Sequence, residues 1–199
     1  MGRQIHELLQ QNQAVEKPVF FDDNMHKAGE PGSHPFAAFE KDEFKDLSFI
    51  IGVGYKHLSA KNDISRKLKA LNRTVLSFIH PSCFVNETAE IKAGSVLYPM
   101  CNIDQRAVIG HSVLINNSVV ICHDSVIGDC TYISPGVVIA GKVTVGENCF
   151  IGAGAVIANG ITVGNNVIIG IGTVITQDVP GNSRVIGNPM RMVESLNLF

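Results

Sequence analysis

From Val85 to Ile175 an aliphatic residue stands at every sixth position, sixteen times without interruption, beginning Val85, Ile91, Leu97, Ile103, Ile109, Ile115 and Ile121. A period of six excludes an amphipathic helix, whose apolar face recurs every three to four residues, and suits short strands separated by bends in a parallel β-helix. The filler agrees: glycine follows the aliphatic at 110, 128, 146, 152, 164 and 170, and Ser, Thr, Ala, Val or Cys recurs four places after it. Three hexads make one triangular coil of about 18 residues, so equivalent aliphatics stack one coil apart in a continuous core. Such a stack is stable only through its neighbours. With no hexad interrupted, no long loop is expected between residues 85 and 180, and any active site must lie on the walls. The terminal segment, MRMVESLNLF, is expected to cap the last coil or pack on a neighbouring subunit, because an open coil end exposes unpaired strand edges.

The first 80 residues lack the repeat. Ile5, Leu8 and Leu9 have helical spacing, and PVFF at 18–21 reads as a strand ending in Asp22-Asp23-Asn24. A polar stretch, 24–35, follows. LSFIIGVG at 47–54 reads as a second strand closing on Gly54, Ile64, Leu68 and Leu71 mark a second helix, and TVLSFI at 74–79 a third strand. The order predicts a Rossmann-like α/β unit, residues 1–80, that lacks its first strand and the glycine-rich turn after it. A start codon assigned too late, a truncation, and a domain that manages without the strand are all open. Residues 81–199 then form the β-helix domain.

A net charge of −2, with 17% charged residues and no basic run, excludes the electrostatic footprint of a nucleic-acid binder. No apolar stretch approaches the ~20 residues of a membrane span, so no membrane insertion is expected. The N-terminus has no signal-peptide core. Five cysteines without C-x-x-C pairing fit a reducing compartment, and together these features predict a cytoplasmic protein.

With the repeat, the Asp-Asp strand end, the Ile79-His80-Pro81 junction and the terminal Gly187-Asn188-Pro189, the chain resembles the NeuD/PglD-like branch of the hexapeptide acyltransferases. The resemblance implies a left-handed β-helix, a homotrimer, acetyl-CoA as acyl donor in the cleft between adjacent β-helices, and a nucleotide-linked amino sugar held by the N-terminal domain. Ile121-Cys122-His123-Asp124 resembles the family's catalytic histidine followed by an acidic residue. The spacing independently puts His123 outside the coil, two places after an inward aliphatic, where an imidazole can serve as general base. Asp124 would fix its tautomer or raise its basicity, and Asn116 would position substrate.

By the same resemblance, Tyr132, Ala153 and Ile171 are cofactor contacts, with Tyr132 standing where several relatives have a second histidine. Asp22, Asp23 and Gly54 are contacts for the sugar nucleotide. The residues leave alternatives open. Asp-Asp-Asn also makes a good turn, and His123 could be an interface histidine. N-acetylation and O-acetylation of a sialic-acid-type hydroxyl use the same base. A zinc-dependent lyase would need three converging histidines, whereas the coil offers His111 and His123 on different walls, and no metal site is predicted. A scaffold without chemistry would bind no cofactor.

Overall fold

The computed structural model describes residues 1–12, 18–54 and 57–193. From Phe78 onward the chain winds as a left-handed parallel β-helix with strands mostly two residues long. Each strand pairs with the strand 18 residues on, as Ile115 does with Ile133 and Ile121 with Ile139. Three flat walls result. Wall A runs from Phe78–Ile79 to Arg184–Ile186, wall B from Phe84–Val85 to Val174–Ile175, and wall C from Glu90–Ile91 to Thr162–Val163. The last turn tightens, with Ile169 pairing with Val185 and Val163 with Val179 over 16 residues instead of 18.

The inward aliphatics from Leu97 to Ile175 are at most 1% exposed, each burial stabilising by about 1.5–3 kcal/mol. Val85 and Ile91, expected in the same core, are only half-buried because the stack ends beneath them. The second inward position takes small side chains for a reason beyond volume. Ser95, Ser125 and Thr131 each donate a hydroxyl to a carbonyl 15 residues on (2.8, 2.8 and 2.9 Å) and accept the backbone N–H 18 residues on (3.0, 3.2 and 3.1 Å). Each buried hydroxyl therefore stitches two coils without leaving a polar atom unpaired.

Ahead of the coil, helix α1 (Gly2–Gln11) lays Ile5, Leu8 and Leu9 against the outward side chains of wall A, among them Phe78, Leu114, Tyr132 and Phe150. Wall A is thus buried on both faces. Leu9→Ala should cost about 2 kcal/mol, measured as a lower urea midpoint. A change below about 0.5 kcal/mol, the usual range of surface substitutions, would show that α1 does not dock there.

The polar stretch after Phe21 is more structured than its composition suggests. Asp22 caps a short helix, α2 (Asp23–Lys27), and Ser33–His34 pairs in parallel with Phe20–Phe21. TVLSFI, read as one strand, is divided. Thr74–Val75 pairs with Ser48–Phe49, whereas Phe78–Ile79 joins wall A against Val96–Leu97. Ile79 lies six residues before Val85, so it already follows the hexad register, and the coil's ladder captures it. Helix α3 (Leu58–Ala70) buries Leu68 with Phe39, Phe49 and Ile51, while Leu71, expected on the same apolar face, is its exposed C-cap.

Among the described residues, the N-terminal strands form two separate two-stranded parallel sheets. At the other end, Arg191–Met192 folds back antiparallel on wall A and covers part of its open edge; residues 194–199 of the expected cap lie outside the described residues. Among the described residues no helix is long and apolar enough to cross a membrane.

Candidate active site

Wall B meets wall C at a corner occupied once per coil, and the 18-residue period aligns Gln105-Arg106, His123-Asp124, Gly141-Lys142 and Asn159-Gly160 one above another. The second residue of several such turns is left-handed, with φ 54° at Arg106 and 59° at Asp124. That shared conformation directs both side chains along the same edge. Arg106 donates from Nε and Nη2 to Oδ1 and Oδ2 of Asp124 at 2.6 and 3.1 Å. Asp124 Oδ2 also lies 2.8 Å from His123 Nδ1. Hydrogen bonds from Arg106, and then from His123, hold the Asp124 carboxyl well below the usual carboxylate range, while the Arg106 guanidinium is raised by the same contact.

An ionised carboxylate can only accept, so Nδ1 carries a hydrogen in neutral His123 and Nε2 keeps its lone pair. The ring is half-exposed, with 42% of its side-chain surface accessible. It lies over Gly141, where a Cβ would fall 2.6 Å from both Cε1 and Nε2. The N–H of Gly141 is itself held by Asn159 Oδ1 at 2.8 Å. The corner therefore presents an oriented imidazole with a free lone pair, assembled from four successive coils. Arg106, Gly141 and Asn159 were not anticipated from the sequence. Counting in steps of 18 from the candidate base finds them.

Asn116, Ala153 and Ile171 lie instead at the opposite edge of wall B, where it meets wall A. Ala153 and Ile171 stack one coil apart, with Gly172 N–H donating to Ala153 O at 2.8 Å, and Ile171 is 72% exposed. Asn116 Nδ2 donates to the Tyr132 hydroxyl at 2.9 Å. Tyr132 is 6% exposed, stacked on Phe150 beneath α1. Within one chain it is a packing residue of wall A, remote from the corner of His123, because its position places it first in a strand whose outward face the helix covers. Cys122 is partly buried, and burial raises its thiol above the ordinary range, which suits packing better than attack.

Asp22 and Asp23 line a crevice of about 700 Å³ in the N-terminal region, together with His6, Phe20, Phe36 and Gly52. Both carboxylates also serve the turn: Asp22 Oδ1 accepts from Asn24 and Met25 N–H (2.8 and 3.0 Å), and Asp23 Oδ1 from Phe36 N–H (2.8 Å). Gly54 sits against Met1 instead of in the crevice lining. Gly52 is the glycine the crevice needs, since a Cβ there would lie 2.8 Å from Gly2 Cα. Among the described residues, no three His, Cys, Asp or Glu side chains converge as a metal site, and His111 occupies the corner between walls C and A.

Two family models match the coil, the bacterial transferase hexapeptide (six repeats) over residues 106–141 and the hexapeptide repeat of succinyl-transferase over 142–177. Among solved structures, the chain is similar to PerB from Caulobacter crescentus in complex with CoA and GDP-perosamine, with 26% identity, a TM-score of 0.85, and coverage of 94% of this chain and 89% of that one. It is also similar to the acetyltransferase domain of PglB from Neisseria gonorrhoeae in complex with acetyl coenzyme A, at 31% identity over 72% of this chain and 69% of that one, with a TM-score of 0.69. WeeI from Acinetobacter baumannii matches at 25% identity and a TM-score of 0.85, covering 96% of this chain and 94% of that one. No curated protein sequence matches the chain.

Proposed function

The chain belongs to the hexapeptide-repeat sugar acyltransferases, and we propose that within this family it transfers acetyl from acetyl-CoA to the amine of a nucleotide-linked amino sugar. The observation that carries the reading is the exposed His123 imidazole with Nδ1 tied to an ionised Asp124 and Nε2 free. Nε2 takes a proton from the amine as its nitrogen attacks the thioester carbonyl, giving a tetrahedral oxyanion. Collapse breaks the carbon–sulfur bond, and the imidazolium returns its proton to the departing thiolate of CoA. No covalent enzyme intermediate is needed. An amine acceptor is favoured by the likeness to a perosamine N-acetyltransferase bound to CoA and GDP-perosamine.

Residues 1–80 hold the acceptor, with the crevice around Asp22 and Asp23 as the nucleotide-sugar site, and residues 81–199 carry out transfer. The assembly is a homotrimer. Wall B supports this, for its outward column of Val120, Val138, Val156 and Val174 is flanked by Phe84, Met100 and Ile171, which are 58%, 68% and 72% exposed. Wall A is covered by the chain's own helix and wall C mixes Val108 and Val126 with Glu90, Thr144 and Thr162, so wall B is the more apolar face left for a neighbouring copy. A threefold arrangement would bring the His123 edge of one subunit toward the Ala153 and Ile171 edge of the next, placing base and cofactor contacts in one cleft.

The test is acetyl-CoA-dependent release of thiol with UDP-, GDP- and dTDP-linked amino sugars, comparing the wild-type chain with His123→Ala. Turnover of one such sugar, reduced roughly 10²–10⁴-fold in the variant with the oligomer intact by light scattering, is the expected result. Turnover of sialic acid alone would reassign the acceptor to a hydroxyl. Full activity in His123→Ala would remove the base from the mechanism.

A further inference from the structure

We infer that Arg106 is a positioning residue for the base, holding Asp124 so that a single tautomer of His123 faces the substrate. The inference rests on the reading of His123 as the base. The geometry is more specific than a surface ion pair requires. Arg106 occupies both carboxylate oxygens from one coil below. Oδ2 is shared with His123 Nδ1. The fork fixes the plane of the carboxylate, which in turn fixes the imidazole, whose other face is limited by Gly141.

A merely structural ion pair on an exposed edge contributes little to stability and would leave both the imidazole tautomer and kcat unmoved. The discriminating experiment is nitrogen NMR of the His123 imidazole in the full chain, alongside kcat and KM, for wild type, Arg106→Met, Arg106→Lys and Asp124→Asn. Arg106→Met should mix the Nδ1–H and Nε2–H tautomers of the neutral ring and lower kcat about tenfold with KM little changed, because only the Nδ1–H form presents a lone pair on Nε2. Asp124→Asn should mix the tautomers as well. Arg106→Lys keeps the charge but loses the fork, so it should restore no more than part of either property.

An unchanged tautomer ratio in Arg106→Met would overturn the assignment. The free-protein spectrum reads Arg106 whether or not His123 proves to be the base, which the His123→Ala turnover assay decides separately.

Discussion

Gly141→Ala should disable the enzyme nearly as completely as removal of His123, with a loss in kcat/KM of at least about 10²-fold, the lower range for a general base. Gly141 has no left-handed φ, so alanine is compatible with its backbone; the obstacle is the added methyl, 2.6 Å from His123 Cε1 and Nε2 and 3.2 Å from Cδ2. The backbone of residue 141 is held by the coil ladder and by Asn159, so the imidazole is the part that yields. Rotating it away breaks the 2.8 Å contact with Asp124 and removes Nε2 from the corner. The ring is half-exposed, so stability should change little: less than about 1 kcal/mol, or roughly 2–4 °C in Tm for a chain of this size. Activity and thermal unfolding on the same sample check both halves. A variant retaining a third or more of wild-type kcat/KM would mean that the stacked ring is not the working conformation of the proposed base.

The coil was legible because one rule, an aliphatic every six residues, is imposed by its core and tolerates no exception from Leu97 to Ile175. The outward placement of His123 and Asp124 was legible for a related reason, both being adjacent in sequence and out of the inward phase. Their supports were not, since Arg106 and Gly141 are neighbours only through the 18-residue ladder, and nothing local marks either as functional. Ahead of the coil the signals were local and competing. Asp22 looked like the end of a strand and is that strand's exit and a helix cap together. Ser33–His34 has little β-propensity and forms a strand because Phe20–Phe21 offers an open edge. The burial of Tyr132 was not legible, because the helix that covers it comes from the part of the chain without the repeat.

The glycines at 110, 128, 146 and 164 share one place in the coil, the exit from wall C, and they predict the largest loss of stability. At Gly128 an added Cβ would lie 2.5 Å from Glu147 N and closer still to Gly146 C. Both neighbours are backbone atoms of the next coil, fixed by the ladder in which Gly128 N–H bonds Val145 O at 2.8 Å. No side chain can swing aside, so the methyl must pry two coils apart in the middle of the stack. Gly128→Ala should cost about 3 kcal/mol, the upper range of overpacking, which lowers Tm by roughly 10 °C at this chain length. The comparison that gives the number meaning is Gly136→Ala, where φ is +67° and a Cβ would meet nothing within 4 Å. Left-handed backbone strain alone should cost about 1–2 kcal/mol there. If the two variants unfold at the same temperature, the coils yield to the methyl at little cost and the close approach does not require glycine at 128. A clearly lower midpoint for Gly128→Ala means that the spacing between coils, set by backbone hydrogen bonds, is what excludes a larger residue from position 128.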